Sequence, residues 1–181
     1  MKHKIILSCI FSAGVFLTAC QTHTAMSNLM EQKMTDGQII KDIMVADQGE
    51  MATATAAKKC SKNNKIKRYA TYLYNAHAKG LHDVKRFAKT HGIKPETSND
   101  AAEIQSYYAN NLKSLEASNE KDFDKNYLNT VIMEHQRALE FLNKSIKDSS
   151  HAKFTAALKK AHACVTRHLM QAQKLKQQMG Y

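Results

Sequence analysis

Four long stretches carry apolar side chains at helical spacing, and short polar breaks separate them. That pattern limits the chain to few architectures. The first stretch aligns Ile39, Ile43, Ala46, Glu50, Thr53 and Ala57, and the second Ile66, Ala70, Leu73, His77, Leu81, Val84 and Phe87. The third aligns Leu128, Ile132, His135, Leu139 and Leu142, and the fourth Phe154, Leu158, Ala161, Val165, His168, Ala172 and Leu175. A helix with one apolar stripe must bury it against other elements, so four such helices predict a bundle. The single proline, Pro95, lies outside all four stretches and interrupts none of them.

Local signals set the boundaries. Thr35-Asp36-Gly37-Gln38 reads as a capping box, which opens a helix running to about Lys59. The break Ser61-Lys62-Asn63-Asn64 precedes a second helix from Lys65 to about Thr90, and His91-Gly92 followed by Lys94-Pro95 ends it. A shorter helix is predicted over Ala101–Ala117. Its length of ~25 Å at 1.5 Å per residue could carry the chain back along the bundle as a crossover. The remaining long helices span about Lys121 to Lys147 and Ala152 to Gln178. The expected fold is therefore all-α, four long helices with a connecting crossover helix over residues 35–181.

The amino terminus carries an address. Lys2 and Lys4 precede the apolar run Ile5–Phe16, which is too short for an ordinary membrane span, and Leu17-Thr18-Ala19-Cys20 follows. That tetrapeptide resembles a bacterial lipobox. Residues 1–19 are then a lipoprotein signal peptide, Cys20 the lipidation site bearing several acyl chains, and residues 20–34 a tether. Gln21 stands where Asp commonly retains such proteins in the inner membrane, so the expected address is the outer membrane, facing the periplasm. The chain has 27 Lys and Arg against 16 Asp and Glu. This balance favours anionic envelope polymers or lipid headgroups as partners, and the address argues against nucleic acid. The two cysteines of the predicted bundle, Cys60 and Cys164, would lie ~21 Å apart along the axis in a crossover topology, so no bridge is expected between them.

Each long helix also has one polar residue in its apolar stripe: Glu50, His77, His135 and His168. Counted from the turns between their helices, all four fall near mid-bundle. Three imidazoles and a carboxylate can hold Zn, and nitrogen and oxygen donors also suit Mn, Fe or Cu. The same four groups can instead satisfy one another, or the Tyr127 hydroxyl, as a buried polar network without metal. Cys164, four residues before His168, could be a further ligand, a redox thiol or core filler. His82, His91 and His151 lie off the stripes or at helix ends, and the basic cluster Lys58, Lys59, Lys62, Lys65, Lys67 and Arg68 surrounds the first turn. No Glu-x-x-His pair accompanies His77, His135 or His168, which argues against a standard di-iron centre. There is also no nucleophile elbow, phosphate-cradling loop or His-Glu-x-x-His motif. The chain thus reads as a binding module more than an enzyme.

Spaced residues carry a family resemblance. Asp47-Gln48-Gly49-Glu50-Met51, Arg68-Tyr69-Ala70 through Asn75-Ala76-His77, Asp122-Phe123-Asp124-Lys125-Asn126-Tyr127 with Met133-Glu134-His135, and Arg167-His168-Leu169 together resemble the domain-of-unknown-function 4142 family. The resemblance spans roughly Asp36 to Lys176. It departs at Glu134 and Asn75, where the family is expected to carry Asp, and at Ala163, where Pro is frequent. What it implies is a ferritin-like four-helix bundle outside the cytoplasm. Glu50, His77, Asp124, Tyr127, His135 and His168 would be its characteristic polar set, and no activity follows from it.

Overall fold

Side-chain caps begin most of the helices. In the computed structural model, which describes residues 33–181, Thr35 accepts from the backbone N–H of Gln38 while Gln38 reaches back to the N–H of Thr35, and α1 (Asp36–Cys60) starts there. Asn63 caps α2 (Asn64–His91), Asn119 caps α4 (Glu120–Asp148), and the imidazole of His151 accepts from the Phe154 N–H to start α5 (Ala152–Gln178). Each such cap is worth about 1 kcal/mol. α3 (Ala101–Glu116) has no side-chain cap. α2 ends where Gly92 turns left-handed at φ 65°, a conformation glycine adopts without the Cβ clash that other residues meet.

The long helices pair as two antiparallel hairpins, α1 with α2 and α4 with α5, and α3 lies along α1. The connection from α2 returns to the start of α1, where the Glu96 N–H donates to the Gly37 carbonyl at 3.0 Å and the Ser98 hydroxyl to Asp42 at 2.9 Å. α3 then runs parallel to α1. Its Tyr108 ring fills the space above Gly49, where a Cβ would lie 2.3 Å from the ring, so only glycine allows this approach. α4 starts at the far end and returns, so that Asp148 accepts from the Met34 N–H and Asp36 from the Ser150 hydroxyl. The first and second hairpin turns therefore lie at opposite ends of the bundle, the crossover expected from the length of α3. Cys60 is exposed, Cys164 half-buried, and both are free. Among the described residues no strand occurs, and no helix is long and apolar enough to cross a membrane.

Predicted helix limits differ from the observed ones by a residue or so. The expected signal peptide and Cys20 lie outside the described residues, as does most of the expected tether. Its last two residues do not: Lys33 and Met34 belong to the helical unit, and Met34 is buried with Ile39, Ile40, Leu142 and Phe154. An apolar side chain at a helix entry gains by packing on the first turn, which extends the body past the capping box.

The core is split. One apolar cluster at the first-turn end joins Ala57, Ile66, Tyr69, Leu73, Leu115, Tyr127, Leu128 and Ala172. The other, at the second-turn end, joins Ile39, Ile40, Val84, Leu142, Phe154 and Leu158. Between them in sequence on every long helix sits a buried polar layer of Glu50, Thr53, His77, Glu134, His135 and His168.

Candidate metal centre

Three of the four polar residues from the helical stripes converge. One ring nitrogen each of His77, His135 and His168 lies within 4.8 Å of the others, and all three residues are buried. The rings meet edge to face, with centroids 5.4 to 5.6 Å apart. α2, α4 and α5 each supply one ring, because the apolar clusters above and below fix the register of those helices.

What makes the trio chemically competent is how the outer nitrogens are held. His77 Nδ1 donates to Asp47 Oδ1 at 2.8 Å; a carboxylate only accepts, so the ring proton sits on Nδ1 and Nε2 keeps its lone pair. That Nε2 is buried and has no hydrogen-bond partner. His135 Nδ1 donates to the Val131 carbonyl at 2.9 Å, with Glu50 Oε1 also 3.3 Å away, so its Nε2 is likewise the lone-pair side. His135 Nε2 lies 3.3 Å from His168 Nδ1, and on the far side of that ring His168 Nε2 lies 3.5 Å from Cys164 Sγ. Without an ion, His168 Nδ1–H donates inward to His135. To present Nδ1 as a lone pair, His168 takes the Nε2–H tautomer, whose N–H then faces the sulfur.

The electrostatics favour neutral rings. Burial, reinforced by the neighbouring imidazoles, pushes His135 well below the usual histidine range; burial, with His77 and then Arg167 nearby, lowers His168 to about 4. Neutral imidazoles are the form that binds metal.

Behind the rings lies a carboxylate shell. Burial first, then Glu134 and Asp47, holds Glu50 well above the usual carboxylate range. Burial raises Glu134 to about 7 despite bonds from Asn111 at 3.0 Å and Thr53 at 3.5 Å. Asp47 is also raised by burial, against the opposing pull of His77.

Glu50, expected as a fourth ligand, thus does not join the converging nitrogens. It stands behind His135, on the nitrogen that faces away from the other two rings. The expected supporting residues sit lower on α4: Tyr127 is ~12 Å and Asp124 ~16 Å from His135 along the helix axis. The Tyr127 hydroxyl and Asp124 Oδ1 are buried and have no hydrogen-bond partner.

Sequence reasoning assigned no role to Asp47 or Glu134. Asp47 is one turn before Glu50 on the same helix, which was the available signal. Gly80 was another: a Cβ there would lie 3.0 Å from Asp47 Oδ2, so its lack of a side chain leaves that carboxylate room. Glu134 was visible only as the residue next to His135.

The residues fit a transition-metal ion by an independent sign. An unpartnered, buried imine nitrogen at His77 costs free energy that a coordinated cation would recover. Asp47 behind His77 reproduces the carboxylate–histidine arrangement that orients metal-ligating rings. Comparison with known proteins adds the family and nothing more specific. No curated protein and no solved structure matches the chain. The family model described as a domain of unknown function (DUF4142) matches residues 20–175, and the chain belongs to that family.

Proposed function

We propose that the protein is a lipid-anchored envelope module that binds a transition-metal ion through His77, His135 and His168, with Asp47, Glu50 and Cys164 behind those rings. The observation that carries this reading is the convergence of three buried imidazoles whose outer nitrogens are all engaged and whose inner nitrogens face one another. Zn and Cu suit three imidazoles best, and Mn or Fe would draw more on the carboxylates. The acyl chains expected at Cys20 would hold the module on the outer membrane facing the periplasm. With three protein donors, a fourth position is free for water or a small ligand, but the surroundings contain no nucleophile motif, so binding or storage is favoured over catalysis.

Metal analysis of the full chain in detergent, after chelation and reloading with Zn, Cu, Mn or Fe in turn, tests the reading. One equivalent bound with a raised melting temperature is expected. Less than about a tenth of an equivalent of every metal, with no thermal shift, overturns it and leaves a polar network. A second reading, attachment to anionic envelope polymers, is favoured by an open hollow lined by Asn64, Lys67, Arg68 and Thr71 at the first turn. Its mark would be binding that weakens steeply with salt.

A further inference from the structure

The end of the bundle where the chain enters at Lys33 carries a groove that neither the histidine centre nor the first-turn hollow explains. It measures about 480 Å³ and is lined by Met44, Ala88, Ile93 and Pro95 with Lys85, Lys89 and Lys94. The floor is apolar: Ala88 is buried, and Met44 and Ile93 are half-buried. The three lysines are exposed. Among the described residues, none of the ion pairs involves them. No acid lines the groove, and the nearby Glu96 accepts a hydrogen bond from the Thr35 hydroxyl.

The position is built, not incidental. Gly92, in its left-handed conformation, turns the chain at the end of α2, and no atom lies near the place where its Cβ would stand. The segment after it is fastened to α1 through the Glu96 to Gly37 hydrogen bond. Ile93 and Pro95 are thereby held beside the carboxyl-terminal turn of α2, where Lys89 stands.

We infer that this groove is a docking surface for anionic phospholipid, with acyl carbons against Met44, Ile93 and Pro95 and the phosphate diester among Lys85, Lys89 and Lys94. Two observations select that occupant. An apolar floor with a purely cationic rim matches a molecule that is apolar along its length and anionic at its head. The segment bearing Cys20 joins the helical unit at Lys33, beside the same end, so a membrane holding Cys20 is reached from this end of the bundle first. That second point rests on the lipid-anchor part of the proposed function; the first does not.

The test uses the full chain carrying Cys20→Ser, so that acylation cannot mask weaker binding, and sedimentation with vesicles. On mixed phosphatidylglycerol and phosphatidylcholine vesicles the chain should bind at low salt, and on phosphatidylcholine alone at least about 10-fold more weakly. Charge reversal by Lys85→Glu, Lys89→Glu and Lys94→Glu together should weaken anionic binding by roughly 100-fold or more. Ile93→Ser should weaken it by several fold without altering its salt dependence. Lys59→Glu, Lys62→Glu and Lys65→Glu, at the opposite end and outside the first-turn hollow, should leave most binding in place; circular dichroism melts check that each variant folds. The inference is overturned by equal binding to neutral vesicles, by indifference to the Lys85, Lys89 and Lys94 reversal, or by equal loss from the opposite-end reversal. It is also overturned if inorganic phosphate at matched ionic strength displaces the chain completely, which would mark a simple anion site. Mass measurement of the Cys20 peptide from the native chain tests acylation separately, so a failure of the anchor and a failure of the groove give different results.

Discussion

Two places in the bundle bring histidines from different helices together, and they differ in what the ring nitrogens do. At mid-bundle, His77, His135 and His168 have their outer nitrogens on Asp47, the Val131 carbonyl and Cys164, and turn the inner ones toward a common point. At the end of the bundle, His91 and His151 also meet, with ring centroids 4.8 Å apart, beside Phe87 and Phe154. There His91 Nδ1 donates to the Phe87 carbonyl, while His151 Nδ1 accepts from the Phe154 N–H as a helix cap. That pair is half-buried, and its rings serve packing and capping. Proximity of imidazoles is therefore common to both places, and only the first turns ring nitrogens from three helices toward one point in a buried layer.

The comparison breaks if the wrong histidines matter. His135→Ala should lower metal affinity by more than the roughly 10–100-fold typical of outer partners, because it removes a donor outright, and His151→Ala should leave affinity unchanged. Isothermal titration of both variants reads this directly. If the two variants lose affinity equally, convergence is not the distinguishing property.

Asp47→Asn sharpens the point. It keeps the shape at His77 but weakens the bond that fixes Nδ1–H, so affinity should fall about 10–100-fold while the melting temperature of the ion-free chain changes little. An unchanged affinity would mean that the carboxylate packs without orienting the ring.

The ion-free centre should also be sensitive to pH. His168 is lowered from 6.5 to about 4, so below 6.5 the unfolded chain binds more protons, and stability is lost as pH falls through that window. Glu134 is raised from 4.5 to about 7, so the folded state binds more protons there and stability is lost as pH rises through its window. The two slopes oppose each other between 4.5 and 6.5. Glu50 is raised in the same direction as Glu134, so in the Glu50→Gln, Glu134→Gln double variant most of the opposition is gone, and urea unfolding in chelator should show stability climbing by roughly 2 kcal/mol from pH 4 to 6.5. A flat profile in that variant would count against buried neutral rings.

The smallest effect belongs to the other histidine pair. His151→Ala removes a cap and should cost about 1 kcal/mol of stability by urea unfolding, with no change at the centre.

The helices were legible because each signal is local. Thr35 with Gln38, Gly92 and Pro95 mark ends wherever the chain later packs, and the stripes ending in Ala57, Phe87, Leu142 and Leu175 repeat at a fixed period. The crossover also followed from length alone, since a helix of 16 residues can span most of its neighbours. The three histidines were legible for the same reason, being misfits within stripes at matched heights. Glu50 was placed at the right level but on the wrong side of His135, because the direction of a side chain depends on the neighbouring helices. Glu134 was named only as a departure from the family pattern and given no role, because it flanks the stripe of α4. It is buried all the same, its carboxylate reaching Thr53 of α1 and Asn111 of the crossover helix, a tertiary fact with no periodic trace.

The split between hairpins has a consequence for how the molecule comes apart. α2 and α5 meet through ring side chains along their length, and His77 belongs to the α1–α2 hairpin while His135 and His168 belong to the α4–α5 hairpin. An ion held by all three would act as a staple between the two hairpins. Separation of the hairpins would then have to break coordination first, so loading should slow unfolding far more than it speeds folding.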